Sequence, residues 1–353
     1  MPAKRTLSVV ASTLILTALS ACAHIGPKAI VTDRFDYNDA VSTSWKQQTL
    51  LNVVRLRNGD FPVFVDVSSI VSGYSLETNL SLDGSIDTDV SGSVGAGARF
   101  TDRPTVTYTP LTGQKFVRGI IAPIDPKNIF FLLQAGYPAD FILGFCVDSI
   151  NGVRNRAVNR QGIRPADPGF LHALDLLAEL QSVGAVGIRI EEQANQTLPH
   201  AEIFLRSDGI SPEFMEKLHE LRRILKLDPK LDRYPLIYSP VHGDPDQFAV
   251  KSRSIYQIMS WFSTFVDAVE AHGNAREMSS STTPNAPRNN LRIHSGTQRA
   301  DHAFVQVKYR DRWYWIDDDD YETKATLSAI VLLFSLADTG ENARLPLVTI
   351  PAQ

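Results

Sequence analysis

The chain has 353 residues, 35 of them basic and 39 acidic, with 43% hydrophobic residues and a formal net charge of −4. Mild acidity argues against nucleic acid as a partner and against electrostatic attachment to an anionic membrane surface. Two cysteines exclude a disulfide framework, and the length suits one large folded domain or two modest ones.

Residues 1–21 form the first element. Lys4 and Arg5 give a positive start, Leu7–Leu19 is an apolar stretch, and small residues lead to a cysteine in Leu19-Ser20-Ala21-Cys22. A permanent membrane helix needs about 20 apolar residues, and this stretch falls short of that. The pattern resembles the bacterial lipobox. That resemblance implies that residues 1–21 are a lipoprotein signal peptide, that Cys22 is the first residue after cleavage, and that its sulfur is acylated. Each buried methylene of such chains contributes about 0.8 kcal/mol, so attachment through several chains would be stable. Ala23-His24 follow, with no aspartate beside the anchor. By resemblance to lipoprotein sorting in two-membrane bacteria, this implies the inner leaflet of the outer membrane, with the body in the periplasm. With Cys22 lipidated, Cys146 is the remaining thiol. Its setting, Phe141-Ile142-Leu143-Gly144-Phe145-Cys146-Val147, reads as buried and inert.

Residues 22–37 read as a tether of mixed polarity. Val41, Trp45, Leu50, Val53, Val54 and Arg57 then recur at helical spacing from Asn38, with Asn58-Gly59 as the stop. Pro62–Asp66 alternates like a strand. Leu80 and Leu82, a turn at Asp83-Gly84, and then Ile86, Thr88, Val90, Gly92, Val94, Ala96 and Ala98 predict a β-hairpin, continued by Thr105–Thr109. Asp125-Pro126 opens a helix over Ile129–Gln134 that Gly136 closes. Ala139–Ile150 predicts a second apolar helix ending at Asn151-Gly152. Asp167-Pro168 opens a third, with Leu171, Leu174, Leu177 and Leu180 on one face.

In the C-terminal half, Val186–Glu191 and Glu202–Leu205 read as paired strands, and Ser211-Pro212 opens a helix to Leu225. Lys217, Arg222, Arg223 and Lys226 read as its solvated face. Pro235–Tyr238 is extended, and Ser252 or Ser254 starts an apolar helix through Val269. Gly273–Asn290, rich in Ser, Thr, Pro and Asn, reads as a flexible insert. Leu291–His294, Ala303–Tyr309 and Trp313–Ile316 predict strands, the last two forming a hairpin around Arg310-Asp311-Arg312. Thr323–Leu336 is helical and Leu345–Ile350 is a final strand. The expected class is α+β: an N-terminal helix and β-hairpin with a helical segment, then a mixed-sheet half. The expected division is a β-hairpin plus helical domain over 38–160 and a mixed domain over 161–353, with the insert at 273–290.

Chemical signals are sparse. Gly92, Gly95 and Gly97 lack the third glycine of a dinucleotide loop, where Phe100 stands instead. The eight histidines show no zinc-type spacing, so neither metal nor cofactor is expected. Asp317–Asp320 with Glu322 could hold a hard cation, but acidic residues at the start of a helix are explained by its positive dipole end. His242-Gly243-Asp244-Pro245-Asp246 reads as a turn.

The remaining constellation is His302-Ala303-Phe304-Val305-Gln306-Val307 followed by Trp313-Tyr314-Trp315-Ile316-Asp317. A histidine starting one strand and an aspartate ending its hairpin partner can lie side by side, the carboxylate fixing the imidazole. The arrangement resembles the His/Asp strand pair of transglutaminase-like cysteine enzymes. That family has a cysteine at the start of a buried helix, where this chain has Ser252 and Ser254. The resemblance implies an active or degenerate hydrolase or acyltransferase site of Ser254 (or Ser252), His302 and Asp317. A plain amphipathic hairpin is the alternative.

A broader resemblance covers most of the mature chain. Trp45–Ser75, Asp102-Arg103-Pro104-Thr105-Val106-Thr107-Tyr108-Thr109-Pro110-Leu111-Thr112-Gly113 and Tyr309–Asp320 are similar to an uncharacterised family of Gram-negative outer-membrane lipoproteins. It implies an address and no activity. The leading expectation is therefore a non-catalytic outer-membrane lipoprotein, bound to the membrane by lipid and to a protein partner of the cell envelope. Oligomeric pore formation through residues 76–100 is a further alternative.

Overall fold

The computed structural model of the chain describes residues 25–71, 74–85, 91–102, 104–159, 162–191, 200–241, 243–267 and 291–337. Cys22, the 273–290 insert and the strand expected at 345–350 lie outside them. Two compact units are present, residues 1–48 and 49–353, and the fold is α+β.

Helix α1 (Ile25–Arg57) starts earlier than the sequence reading placed it, so residues 25–37 of the expected tether are helical. Gly26 and Pro27 fall in its first turn, where a missing N–H costs no intrahelical bond. No glycine or proline follows until Gly59. There the helix stops, with Gly59 at φ 76° and the Asn58 Nδ2 group donating to the Val54 carbonyl at 2.8 Å. Leu50, Val53 and Val54 are fully buried. Asn52, also buried, grips the backbone of Val63 on both sides: its Nδ2 donates to the carbonyl at 2.8 Å and its Oδ1 accepts from the N–H at 2.9 Å.

Strand β1 (Phe64–Val71) pairs antiparallel with β4 (Thr105–Leu111). Between them in sequence, β2 (Tyr74–Ser85) and β3 (Ser91–Asp102) pair at twelve consecutive positions, from Tyr74↔Asp102 to Ser85↔Ser91. The turn is therefore not at Asp83-Gly84, which pair with Ser93 and Gly92. Continuous alternation carries the ladder past the Asp-Gly signal. Ile86, Thr88 and Val90 lie outside the described residues.

Helices α2 (Gly113–Ile121), α3 (Pro126–Gln134) and α4 (Ala139–Cys146) follow. The expected cap of α3 is present, the Asp125 side chain accepting from the Lys127 N–H at 3.0 Å. Helix α4 ends earlier than expected, because Val147–Ile150 is strand β5. It turns through Asn151 (φ 45°) and Gly152 (φ 81°) into β6 (Val153–Arg154). Two residues with positive φ joining paired strands are the geometry that Asn-Gly favours in tight hairpins.

Strands β7 (Ala157–Asn159) and β8 (Gly162–Arg164) form a small hairpin. Helix α5 (Pro168–Ser182) buries Phe170, Ala173, Leu174, Leu176, Leu177 and Leu180. Leu171, expected on the same face, is 43% exposed. After it come β9 (Val186–Glu191), β10 (His200–Leu205), helix α6 (Pro212–Ile224), β11 (Arg233–Tyr238) and β12 (Phe248–Ser252). One six-stranded sheet has the order β6-β5-β12-β11-β10-β9, with β11 and β12 parallel and its other pairs antiparallel. It takes strands from both sides of the boundary expected at 160/161, so the two sequence halves share one hydrogen-bonded ladder.

Arg222 of α6 corrects the expected solvated face. It is 3% exposed, and its Nη2 donates to the carbonyls of Leu205 (3.0 Å) and Leu231 (2.9 Å) and to Asp232 (2.8 Å). Its neighbour Arg223 does face solvent, paired with Glu220. Helix α7 (Ile255–Phe262) is shorter than expected, giving way to a 3-10 turn over Ser263–Phe265. The last sheet has the order β13-β15-β14, from His294–Gly296, Arg312–Asp317 and Ala303–Tyr309, and helix α8 (Tyr321–Ala337) follows. Phe334 of α8 stacks on Phe64 of β1 at 4.5 Å between ring centroids.

Candidate functional site

The aromatic hairpin is built by alternation. Val305, Val307, Tyr314 and Ile316 are buried, whereas Trp313 and Trp315 are half-buried. Arg310 takes φ 53° at the turn between the strands. His294 pairs with Trp315 across the ladder, and their rings stack at 5.4 Å with 19° between planes. A Cβ on Gly296 would meet the Trp315 ring at 3.2 Å, so the absent side chain leaves the indole its place.

Register pairs Ala303 with Asp317 and so brings His302 beside the end of β15, as the sequence reading expected. The carboxylate, however, takes a different histidine. Asp317 Oδ2 lies 2.9 Å from His294 Nε2, and its Oδ1 accepts from the Trp315 indole N–H at 2.8 Å. His302 is exposed, and its carbonyl accepts from the Asp318 N–H. The observed His/Asp pair is thus His294 with Asp317, and the expected His302–Asp317 pairing is corrected. The second nitrogen of His294, Nδ1, faces Asp267 Oδ2 at 3.6 Å, and Asp267 is also held by Arg292 at 2.9 and 3.3 Å. A general base needs one ring nitrogen turned toward the nucleophile and the other toward its orienting carboxylate. Here each nitrogen of His294 faces a carboxylate.

The expected nucleophiles are engaged elsewhere. Ser254 caps α7 and is 2% exposed: its hydroxyl accepts from the Gln257 N–H at 3.2 Å, while Gln257 Oε1 accepts from the Ser254 N–H at 2.9 Å. This reciprocal capping box turns the buried hydroxyl toward the first turn of α7, and no histidine is hydrogen-bonded to it among the described residues. The Ser252 hydroxyl is buried and donates to the Ile124 carbonyl. Cys146 is fully buried, and desolvation pushes its thiol far above the ordinary cysteine range, leaving it inert at neutral pH.

The acidic run has local partners too. Asp318 accepts from Lys324, which, more than the nearby His302, holds its carboxyl below the usual range. Asp320 accepts from both the N–H and the hydroxyl of Thr323 in the first turn of α8. No group of three metal-binding side chains occurs among the described residues. The sequence reading missed His294, Asp267 and Arg292. Arg292 and His294 sit together in the expected Leu291–His294 strand, but Asp267 lies 25 residues before Arg292 and Asp317 on another strand, so the group is not visible locally.

No protein-family model matches the chain, and neither a curated protein nor a solved structure is significantly similar to it.

Proposed function

We propose that this protein is a lipid-anchored lipoprotein of the outer membrane, its folded body in the periplasm, serving as a binding or scaffold subunit of an envelope assembly. The observation that carries this reading is Leu19-Ser20-Ala21-Cys22 directly after an apolar stretch with a basic start. Among the described residues no helix is long and apolar enough to cross a membrane, so attachment at Cys22 is the membrane contact that the reading invokes. Binding rather than catalysis is supported by the two carboxylates against His294 and by the capping role of Ser254. Its resemblance to the Gram-negative lipoprotein family belongs to the same proposal.

Replacing Cys22 by Ala is expected to move the protein from the membrane pellet to the soluble periplasmic fraction, while the wild type resists washing at high salt. A variant that still sediments with outer membrane would contradict lipid attachment.

The register of β2 with β3 favours a second reading, self-assembly. Leu76, Leu80 and Leu82 stand opposite Phe100, Ala96 and Val94, while Glu77, Asn79 and Ser81 stand opposite Arg99, Gly97 and Gly95. A barrel strand needs about 9–11 residues to span a bilayer and alternates apolar with polar positions. Native mass spectrometry in detergent should then give a discrete oligomer that is lost on replacing Leu80 and Leu82 by Ser. A monomer alone would end this reading.

A further inference from the structure

We propose that the open end of the β7–β8 hairpin is a binding site for phosphate, free or as a monoester, held by Arg156 and Arg164 in front of a buried Arg253. Arg156 directly precedes β7 and Arg164 ends β8. The pairing of Ala157 with Arg164 brings both arginines to the same end of the hairpin. Arg253 lies between β12 and α7, 4% exposed. It donates to the carbonyls of Phe145, at 3.1 Å, and of Arg156. Both contacts are to neutral carbonyls, and among the described residues no carboxylate reaches salt-bridge distance of Arg253.

Charge around it is unbalanced. The one carboxylate in this group is Asp148 of β5, and it is shared: Lys251 Nζ is 2.8 Å away and Arg164 Nη2 is 3.8 Å away. Asp167, the next acid along the chain, is engaged by Arg154 at 3.5 Å. Of the four cationic side chains here, Arg156, Arg164, Lys251 and Arg253, only Lys251 and Arg164 lie within salt-bridge distance of Asp148. Burial chiefly, then the like charges of Arg164 and Arg156, hold the Arg253 guanidinium down to about 10, against the opposing pull of Asp148 and Cys146.

Two donors lack an acceptor. Arg164 Nη1 is buried without a hydrogen-bond partner. The Arg156 guanidinium lies over the Phe265 ring at 5.9 Å and, among the described residues, meets no carboxylate. A buried donor left unmade costs about 1–3 kcal/mol, so a native structure that keeps one calls for a missing water or ion. An isolated water would satisfy Arg164 Nη1 but leave the charge uncompensated. A phosphate group supplies acceptors and negative charge together, and planar guanidinium groups with parallel N–H bonds suit it better than ammonium groups do. The site does not depend on lipid at Cys22.

The test is calorimetric titration of the detergent-solubilised full-length protein with inorganic phosphate, at constant ionic strength set with chloride. Saturable binding is expected, weakened at least tenfold by Arg156→Gln and by Arg164→Gln and unchanged by Arg223→Gln on the exposed face of α6. Arg164→Lys keeps a positive charge beside Asp148 but loses Nη1, and it should also lose tenfold. Water-soluble dihexanoyl phosphatidic acid distinguishes the source: binding at least tenfold tighter than inorganic phosphate identifies a lipid headgroup, and equal affinity identifies free phosphate. Should the arginine variants fail the circular-dichroism check for folding, the wild type decides alone, because phosphate must then raise its melting temperature above matched chloride. Absence of saturable phosphate binding, equal affinity in folded variants, or no thermal shift would overturn the site.

Discussion

Asn151→Ala is expected to destabilise the protein by about 3–4 kcal/mol, the sum of lost buried hydrogen bonds and a backbone that alanine resists. Asn151 is 1% exposed and sits in the β5–β6 turn at φ 45°. Its Nδ2 donates to the carbonyls of Leu225 and Gln247, both at 3.0 Å, and its Oδ1 accepts from the Ala249 N–H at 2.7 Å. One side chain thus joins the turn to the end of α6 and to the start of β12. Truncation leaves two carbonyls and one N–H without their partner. Asn151→Gly separates the two causes. It accepts the positive φ freely but makes none of the bonds, so it should cost about 1 kcal/mol less than Ala. Chemical denaturation of the three proteins measures both differences, and a loss below 1 kcal/mol for Ala would show that these bonds contribute little.

Arg222→Ala should cost about 2–3 kcal/mol, because the buried guanidinium is the donor that joins two carbonyls to the half-exposed Asp232. The carbonyls of Leu205 and Leu231 would lose a charged donor, and Asp232 would lose its cation. Arg222→Met fills most of the space without donating, so a loss near that of Ala assigns the effect to the bonds and a small loss assigns it to packing. Arg223→Ala next door, exposed, should stay within about 0.5 kcal/mol of wild type. The variant also changes acid behaviour. Ser207 first, then Arg222, hold the Asp232 carboxyl below the usual range. A depressed carboxyl contributes stability that is complete above its ordinary value and is lost as pH falls through the depressed one. Removing Arg222 takes away one of those two causes, so the loss on acidification should be smaller in Arg222→Ala than in wild type.

Elements whose stop and start signals are local were legible in the sequence. Asp125-Pro126, the strand pair after Gly184, the Arg310 turn and the start of α8 are each written within a few residues. What escaped depends on distant partners. Val147-Asp148-Ser149-Ile150 follows α4 with no glycine or proline to mark a change, and pairing with β12 and β6 makes it a strand. Short apolar runs do not distinguish strand from buried helix by periodicity. The Asn151-Gly152 signal reads as a helix stop in the sequence and forms a hairpin turn in the fold. Arg222 looked like its exposed neighbours because its acceptors, Leu205, Leu231 and Asp232, belong to other segments. The candidate site failed in the same way. The His302–Asp317 juxtaposition was legible from hairpin register, but His294 enters from β13 on the other side of β15 and takes the carboxylate.

The proposed function depends on an acyl anchor at Cys22. Intact-mass measurement of the protein extracted from membranes with detergent tests it most directly. The predicted mass is that of a chain beginning at Cys22 and carrying acyl groups on that residue. A precursor retaining residues 1–21, or a chain beginning at Cys22 with no added lipid mass, would contradict it.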